Sequence, residues 1–300
     1  MPQPTDRRFM ASETPAAGAV EQRYKALIVE SSPEINQLLR NLFGERGWDV
    51  QFVKNNQEAL DSGRREAFDL IVTSERTSEQ EDVQLLRRLR MCRPHTRLII
   101  LTEEFVPGDV LTAIRERAFS YFSRPFSAEQ LAEIIRVAME QPFWDDGIEI
   151  LSATPQWIRL AVRCDLATAN RLIQFYREAS DLPDEETEEV ATAFREILLN
   201  AIEHGGHFDP TQHVEVSYVK TKRMVMCKVK DPGSGFSLEE LKHTAIDNPP
   251  HDPFRHMEER EAKGMRPGGF GILMSQKLVD DLIYSEQGNE VLLIKYLNKP

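Results

Sequence analysis

Basic side chains, cysteine and long apolar runs are all scarce in this sequence, and each shortage narrows what the chain can do. Against 37 Lys and Arg stand 49 Asp and Glu, a formal charge of −12. Up to residue 140 there are 19 basic and 22 acidic side chains; beyond it there are 18 and 27, so the two halves carry −3 and −9. Neither offers the cationic excess that phosphate neutralisation needs, which argues against nucleic acid as the main partner. The three cysteines, Cys92, Cys164 and Cys227, are odd in number and far apart. They make neither a disulfide framework nor a metal-ligand spacing and read as buried, reduced thiols. No apolar run approaches the ~18 residues of a membrane helix. The opening MPQPTDRRFMASETPAAGAV has two Arg but no apolar stretch behind them, unlike a secretory leader. The expectation is a cytoplasmic protein with no membrane and no DNA among its partners.

What is present suits two globular domains: 300 residues, 41% hydrophobic and 29% charged. Residues 1–22, rich in Pro, Ala, Ser and Thr without a hydrophobic period, read as a disordered tail. From Tyr24 the pattern becomes regular. KALIVE is a strand-type run, and in SSPEINQLLRNLFGERGW the residues Ile35, Leu38, Leu39, Leu42 and Phe43 fall on one helical face. Pro33 suits a first helical turn, and Gly44 and Gly47 end it. Four more such units follow, with strands in WDVQFV, FDLIVTS, RLIILT and YFS. Five strand–helix units within residues 23–140 imply a parallel sheet covered by helices on both faces. QPFWDDG breaks the alternation, and residues 141–150 read as a linker.

From residue 151 to 300 the order changes. A strand around IRLAVRC precedes two long helices, ATANRLIQFYREAS and PDEETEEVATAFREILLNAIEHG. Strands HVEVSYVK and RMVMCKVKD, a helix GILMSQKLVDDL and strands IYSEQ and EVLLIKYL follow. This is an α+β arrangement, expected to carry a mixed sheet.

The strand ends of the first half carry particular residues: Glu30-Ser31 after KALIV, Ser74 after DLIVT, Thr102 after LIIL, and Arg124 before Pro125. The series over residues 23–140 resembles a response-regulator receiver domain, of flavodoxin-like fold. The resemblance implies a phosphoacceptor Asp where Ser74 stands, two acidic residues for Mg²⁺ where Glu30 and Ser31 stand, a Thr or Ser matched by Thr102, and a Lys where Arg124 stands. A serine hydroxyl cannot form an acyl phosphate, and the single carboxylate of Glu30 is a poor substitute for three around a hard cation. Strand alternation sends the neighbouring Glu75 to the opposite side from Ser74. The domain is therefore read as a degenerate receiver, not phosphorylated by the standard route, that serves in docking or dimerisation. A flavodoxin-like domain with unrelated work is the alternative, since fold does not dictate function.

Three motifs mark the second half. In REILLNAIEHGG, Glu196 and Asn200 are i and i+4 and share a helix face, a plausible base and Mg²⁺ ligand or simply a solvated face. His204-Gly205-Gly206 then stops the helix. In VKDPGSGF, a strand delivers Asp231 to a turn with Gly233 and Gly235, which is also ordinary turn chemistry. In RPGGFGILMSQKLVDDL, Gly268, Gly269 and Gly271 run into a helix whose free N–H groups favour phosphate. No Gly-Lys-Ser/Thr follows, and no strand of a βαβ unit precedes, so neither a Walker A loop nor a dinucleotide fingerprint is present.

Together and in this order, the motifs resemble the N, G1 and G2 boxes of the GHKL ATPases, with a Bergerat α/β sandwich. NAIEHG, GFGILM-x5-VDD and GNEVLLIKY resemble most the anti-sigma factor serine/threonine kinase branch. The resemblance implies Mg²⁺ and ATP as cofactors, Asn200 as Mg²⁺ ligand, Glu196 as general base, Asp231 at the adenine amino group, and Gly233, Gly235, Gly269 and Gly271 shaping the pocket. It also implies a STAS-type anti-anti-sigma protein as substrate, a sigma factor held in check, and a homodimer. Residues 237–267 would form an ATP lid; His243, His251 and His256 within it are too irregularly spaced for a metal site. An ATP-binding but catalytically silent interaction switch is the alternative. A histidine kinase is disfavoured because residues 141–180 contain no His. A DNA-binding regulator is disfavoured because no helix-turn-helix follows the receiver.

Overall fold

The first half of the chain folds as its alternating apolar runs require. The computed structural model describes residues 24–44, 48–74, 76–103, 106–140, 146–154, 156–180, 182–235 and 271–297. Its first ten elements are β1 (Lys25–Val29), α1 (Pro33–Gly44), β2 (Asp49–Val53), α2 (Asn56–Arg65), β3 (Leu70–Val72), α3 (Glu79–Cys92), β4 (Arg97–Thr102), α4 (Pro107–Arg115), β5 (Ser120–Ser123) and α5 (Ala128–Glu140). The five strands are parallel in the order β2-β1-β3-β4-β5. Alternate residues feed opposite faces. Ala26, Ile28, Leu70, Val72, Ile99 and Leu101 pack with α1 and α5, while Leu27, Val29, Ile71, Leu98 and Ile100 pack with α2, α3 and α4. Local chemistry sets the helix starts: Asn55 caps α2, and Ser78 with Glu81 forms a reciprocal capping box on α3.

The second half contains β6 (Ile148–Thr154), β7 (Trp157–Arg163), α6 (Leu166–Ser180), α7 (Asp184–Asn200), β8 (His213–Lys220), β9 (Met224–Lys230), α8 (Gly271–Leu278), β10 (Asp281–Tyr284) and β11 (Glu290–Tyr296). The six strands lie in the order β10-β11-β9-β8-β7-β6. Every pairing is antiparallel, not mixed as the sequence led us to expect. The reason is the number of helices between β7 and β8. One helix would return the chain for a parallel strand; two bring it back to the end where β7 finished, so β8 runs the other way. The strand β6 was not anticipated either, and it begins inside the stretch read as a linker. A register shift between Ile150 and Ser152 interrupts its alternation, which hides it from a period-two reading. Helix α8 ends at Leu278, earlier than GILMSQKLVDDL suggested, where Lys295 Nζ donates to the Leu278 carbonyl at 3.0 Å. Among the described residues no helix is long and apolar enough to cross a membrane. Cys164 and Cys227 are buried, but Cys92 is exposed on the last turn of α3, against expectation.

The two sheets meet through α6. Strand β5 is the last of its sheet, yet all four of its residues are buried. Helix α6 lies along its open edge and answers its backbone groups with side chains. Arg171 Nε donates to the Phe119 carbonyl at 2.8 Å and its Nη2 to the Ala118 carbonyl at 3.2 Å. Gln174 Nε2 donates to the Tyr121 carbonyl at 3.3 Å. The Ser123 amide and hydroxyl both donate to Glu178 Oε2, at 3.0 and 2.5 Å. Positions 171, 174 and 178 recur at i, i+3 and i+7, on one helical face. The helix thus satisfies an edge that would otherwise be left open for pairing. Apolar packing is continuous across this seam, with Ile114 and Tyr121 in the same cluster as Leu172 and Phe175.

Candidate functional site

Helix α7 carries the first motif. Asp184, Glu185 and Glu186 fill its first turn, where the helix dipole favours carboxylates. Val190, Ala191, Ala193, Phe194, Ile197 and Leu198 are buried, leaving Glu196 and Asn200 half-buried on the side away from this core. The stack of Phe194 on Tyr176, ring centres 5.1 Å apart, ties α7 to α6. Directly after Asn200 the helix widens into a π-helical turn, Ala201–Gly205, in which the Gly206 amide reaches back to the Ala201 carbonyl at 2.9 Å. The sequence led us to expect the stop at Gly205-Gly206 but not this widening. His204 is exposed on the turn.

Asp231 stands at the end of β9. Its amide donates to the Asn289 carbonyl at 2.9 Å, and its Oδ1 accepts the Gly233 amide at 2.8 Å. Burial pushes its carboxyl above the ordinary value, with the Gly233 bond opposing the shift. The first and second motifs touch here: a Cβ on Gly205 would lie 2.3 Å from Asp231 Oδ1 and 2.4 Å from its Cβ. The turn continues to Gly235 at φ 82°, a left-handed conformation, with the Gln287 carbonyl 1.8 Å from where a Cβ would sit.

The third motif meets the first. Gly271 opens α8, and a Cβ there would lie 2.6 Å from Glu196 Oε2. The buried Ser275 pins α8 in place, its hydroxyl 2.9 Å from the Gly271 carbonyl and 3.4 Å from the Ala193 carbonyl of α7. Glu196 also pairs with Arg195, Nη1 to Oε1 at 3.3 Å, a contact that sequence reading missed. Gly269 and the stretch 237–267 with its three histidines lie outside the described residues.

The strand-end residues of the first domain also converge. Glu30, Ser74, Thr102 and Arg124 stand at or just past the carboxyl ends of β1, β3, β4 and β5. Ser74 is buried and its Oγ accepts the Arg76 amide at 3.1 Å, while Glu30 is exposed. Arg124 Nη2 donates to Ser32 Oγ at 3.0 Å across the same edge. Glu75 lies outside the described residues. A carboxylate that sequence reading missed sits nearby. Asp82 on α3 is fully buried, 2.6 Å from Asn56 Nδ2 and 2.8 Å from Thr77 Oγ1, and Thr77 Oγ1 is 2.6 Å from the Ser74 carbonyl. Burial raises its carboxyl to about 7 against the pull of these donors. Its only sequence signal is an acid in the first turn of an amphipathic helix, which is commonplace.

Known proteins match the two halves separately. Residues 26–136 match the response regulator receiver domain family, and residues 160–295 match the histidine kinase-like ATPase domain family. The serine-protein kinase RsbW of Listeria monocytogenes is 28% identical over 150 residues, covering 50% of this chain and 85% of the relative. The response regulator protein PilR of Pseudomonas aeruginosa is 28% identical over 117 residues, 39% of this chain and 26% of PilR. The transcriptional regulatory protein TrcR of Mycobacterium tuberculosis is 27% identical over 112 residues, 37% of this chain and 44% of TrcR. The chain thus spans less than half the length of these two regulators. A response regulator structure from Thermotoga maritima is 24% identical, with a TM-score of 0.36, covering 40% of this chain and 99% of that one.

Proposed function

We propose that this chain, in which a response regulator receiver domain is joined to a histidine kinase-like ATPase domain, is an ATP-dependent protein serine/threonine kinase of the anti-sigma type whose receiver is no longer phosphorylated. The observation that carries the reading is the meeting of the three motifs, Glu196 against Gly271 and Asp231 against Gly205. The kinase relative, matched over 85% of its own length, supports the reaction class.

The residues present suit Mg²⁺-ATP by their donor chemistry. Asp231 Oδ1 is committed to the Gly233 amide, which leaves Oδ2 to accept the adenine amino hydrogen. The N-terminus of α8 at Gly271 would offer amide groups to phosphate, and Gly233 and Gly235 would let the backbone approach the base. Asn200 presents an amide oxygen, a hard ligand suited to Mg²⁺. On this reading Asn200 would hold the ion together with nucleotide phosphates. When bound, the ion supplies charge neutralisation at the phosphates. Glu196, one turn from Asn200, takes the proton of the attacking serine or threonine hydroxyl at its carboxylate. The protein substrate is of the STAS anti-anti-sigma kind, with a sigma factor as the protein restrained, and the chain acts as a homodimer in the cytoplasm.

A silent ATP-binding switch is the second reading, favoured by the Arg195–Glu196 pair, which occupies one carboxylate oxygen. Calorimetry with Mg²⁺-ATP on the full chain and on Asn200→Ala, followed by transfer of labelled phosphate to a STAS protein with Glu196→Ala as control, decides. Absence of binding by the intact chain sinks both readings. Binding without transfer leaves the switch.

A further inference from the structure

Glu178 is a carboxylate with nowhere ordinary to put its charge. It is 9% exposed, at the seam where α6 covers β5. Its neighbours are the Ser123 amide and hydroxyl on Oε2 and Gln174 Nε2 on Oε1, at 3.0, 2.5 and 3.0 Å. All three are neutral donors. The cations nearby are committed elsewhere: Arg177 is bidentate to Glu188 of α7 at 2.9 and 3.1 Å, and Arg171 pairs with Asp146 at 3.3 Å. The other charged groups on elements packed against α6 are Arg124 after β5, bonded to Ser32; Asp109 and Arg115 on α4; Glu129, Glu133, Arg136 and Glu140 on α5, where Arg136 pairs with Glu133; Asp184, Glu185, Glu186, Glu189, Arg195 and Glu196 on α7, where Glu189 pairs with Lys295 and Arg195 with Glu196; and Arg159 and Arg163 on β7, paired with Glu215 and Asp165. Among the described residues none forms an ion pair with Glu178. An ionised carboxylate so placed is costly, because neutral hydrogen bonds replace hydration only in part. The neutral acid loses little. A serine hydroxyl accepts as readily as it donates, so Ser123 Oγ can accept a hydrogen bond from a protonated Oε2 while the Ser123 amide still donates to that oxygen.

We propose that Glu178 is a proton-operated latch between the receiver and ATPase domains, closing the α6–β5 seam when protonated and loosening it when ionised. The shift of its carboxyl to about 7, caused by burial, places this change near neutrality. The sign follows from linkage. A group whose value is raised on docking from the ordinary 4.5 favours the docked state at low pH, and that support is lost as pH rises toward 7. Because Tyr176 of α6 stacks on Phe194 of α7, loosening the seam withdraws a support from the helix bearing Glu196 and Asn200. The latch itself requires neither ATP binding nor phosphotransfer.

Amide hydrogen exchange on the full chain between pH 5 and 8, corrected for intrinsic rates, tests it. Protection of the Ser123 amide should fall by up to about tenfold per pH unit between pH 5 and 7, then level off. Protection of the Ile71 amide, in the middle strand of the receiver sheet, carries the receiver's own pH dependence, to which Asp82 contributes, and should fall less steeply. In Glu178→Gln, which keeps the shape and has no proton to lose, the Ser123 slope should drop to that of Ile71. A Ser123 slope no steeper than that of Ile71 in the parent chain, or an excess over Ile71 that survives Glu178→Gln, overturns the latch. Should Glu178→Gln fail to fold, the comparison of Ser123 with Ile71 in the parent chain decides alone.

Discussion

The Glu196 carboxylate rests against the first residue of α8, so close that a Cβ on Gly271 would sit 2.6 Å from its Oε2. The obstructing atom is the end of a flexible side chain, which can swing away. Gly271→Ala should therefore fold normally, within about 0.5 kcal/mol of the parent in urea unfolding. If the proposed kinase reading holds, it should lose phosphotransfer at least tenfold, because the displaced carboxylate would no longer reach the hydroxyl. Equal rates in the two proteins would remove Glu196 from the reaction.

Gly235 gives the opposite balance. Its φ of 82° and the Gln287 carbonyl 1.8 Å from a Cβ position leave a side chain nowhere to go. Gly235→Ala should cost about 2 kcal/mol or more, seen as a lower urea midpoint.

At the seam, Asp146 Oδ1 is the counter-charge of Arg171, which is 2% exposed. Removing it with Asp146→Ala strands a buried guanidinium and should destabilise the chain by about 3–5 kcal/mol. Thermal unfolding of this variant beside Arg117→Ala, an exposed Arg at the same carboxylate, checks that burial and not proximity sets the cost.

Asp82 makes stability depend on pH in a definite direction. Its folded value near 7 exceeds the ordinary 3.8, so its contribution is full below pH 4 and fades as pH rises to 7. Asp82→Asn should gain on the parent by up to about 1.4 kcal/mol per pH unit across that window and by a constant amount above it. Urea midpoints of both proteins at pH 5, 6, 7 and 8 measure this. A constant gap at all four would mean that Asp82 does not titrate.

On the proposed reading of the receiver, an aspartate at position 74 should not by itself make a phosphoacceptor site. Ser74→Asp places one carboxylate beside Glu30, with Ser31 still lacking the second acid. Incubation with acetyl phosphate and Mg²⁺ should leave it unlabelled. Labelling of the single variant would show that the site needs fewer acids than its strand ends suggest.

Much of this molecule is written locally. The five strand–helix units are legible because buried parallel strands need unbroken apolar runs and their helices a 3.6-residue stripe. That Ser74 stands at the end of the third strand, with a hydroxyl and not a carboxylate, is legible directly from the sequence. The glycines and acids of the three later motifs stand out because few residues tolerate close backbone approach or offer oxygen ligands. β6 was harder, since its register shift breaks the period a strand announces itself by. The π-helical turn after Asn200 was invisible, because a helix widened by one residue keeps the same residue types.

The sequence by itself determined that a receiver-type half precedes an ATPase-type half, since the patterns of each depend on neighbours within a few positions. Only the tertiary structure decided that the second sheet is wholly antiparallel, that Glu196 meets Gly271, and that Arg171, Gln174 and Glu178 belong to the receiver's edge. Within ATANRLIQFYREAS these three are ordinary polar positions. Their partners, Phe119, Tyr121 and Ser123, lie more than fifty residues earlier, at |i−j| of 52, 53 and 55. A strand's unpaired edge carries no mark in its own sequence, because the groups left open there belong to the backbone and are the same in every residue.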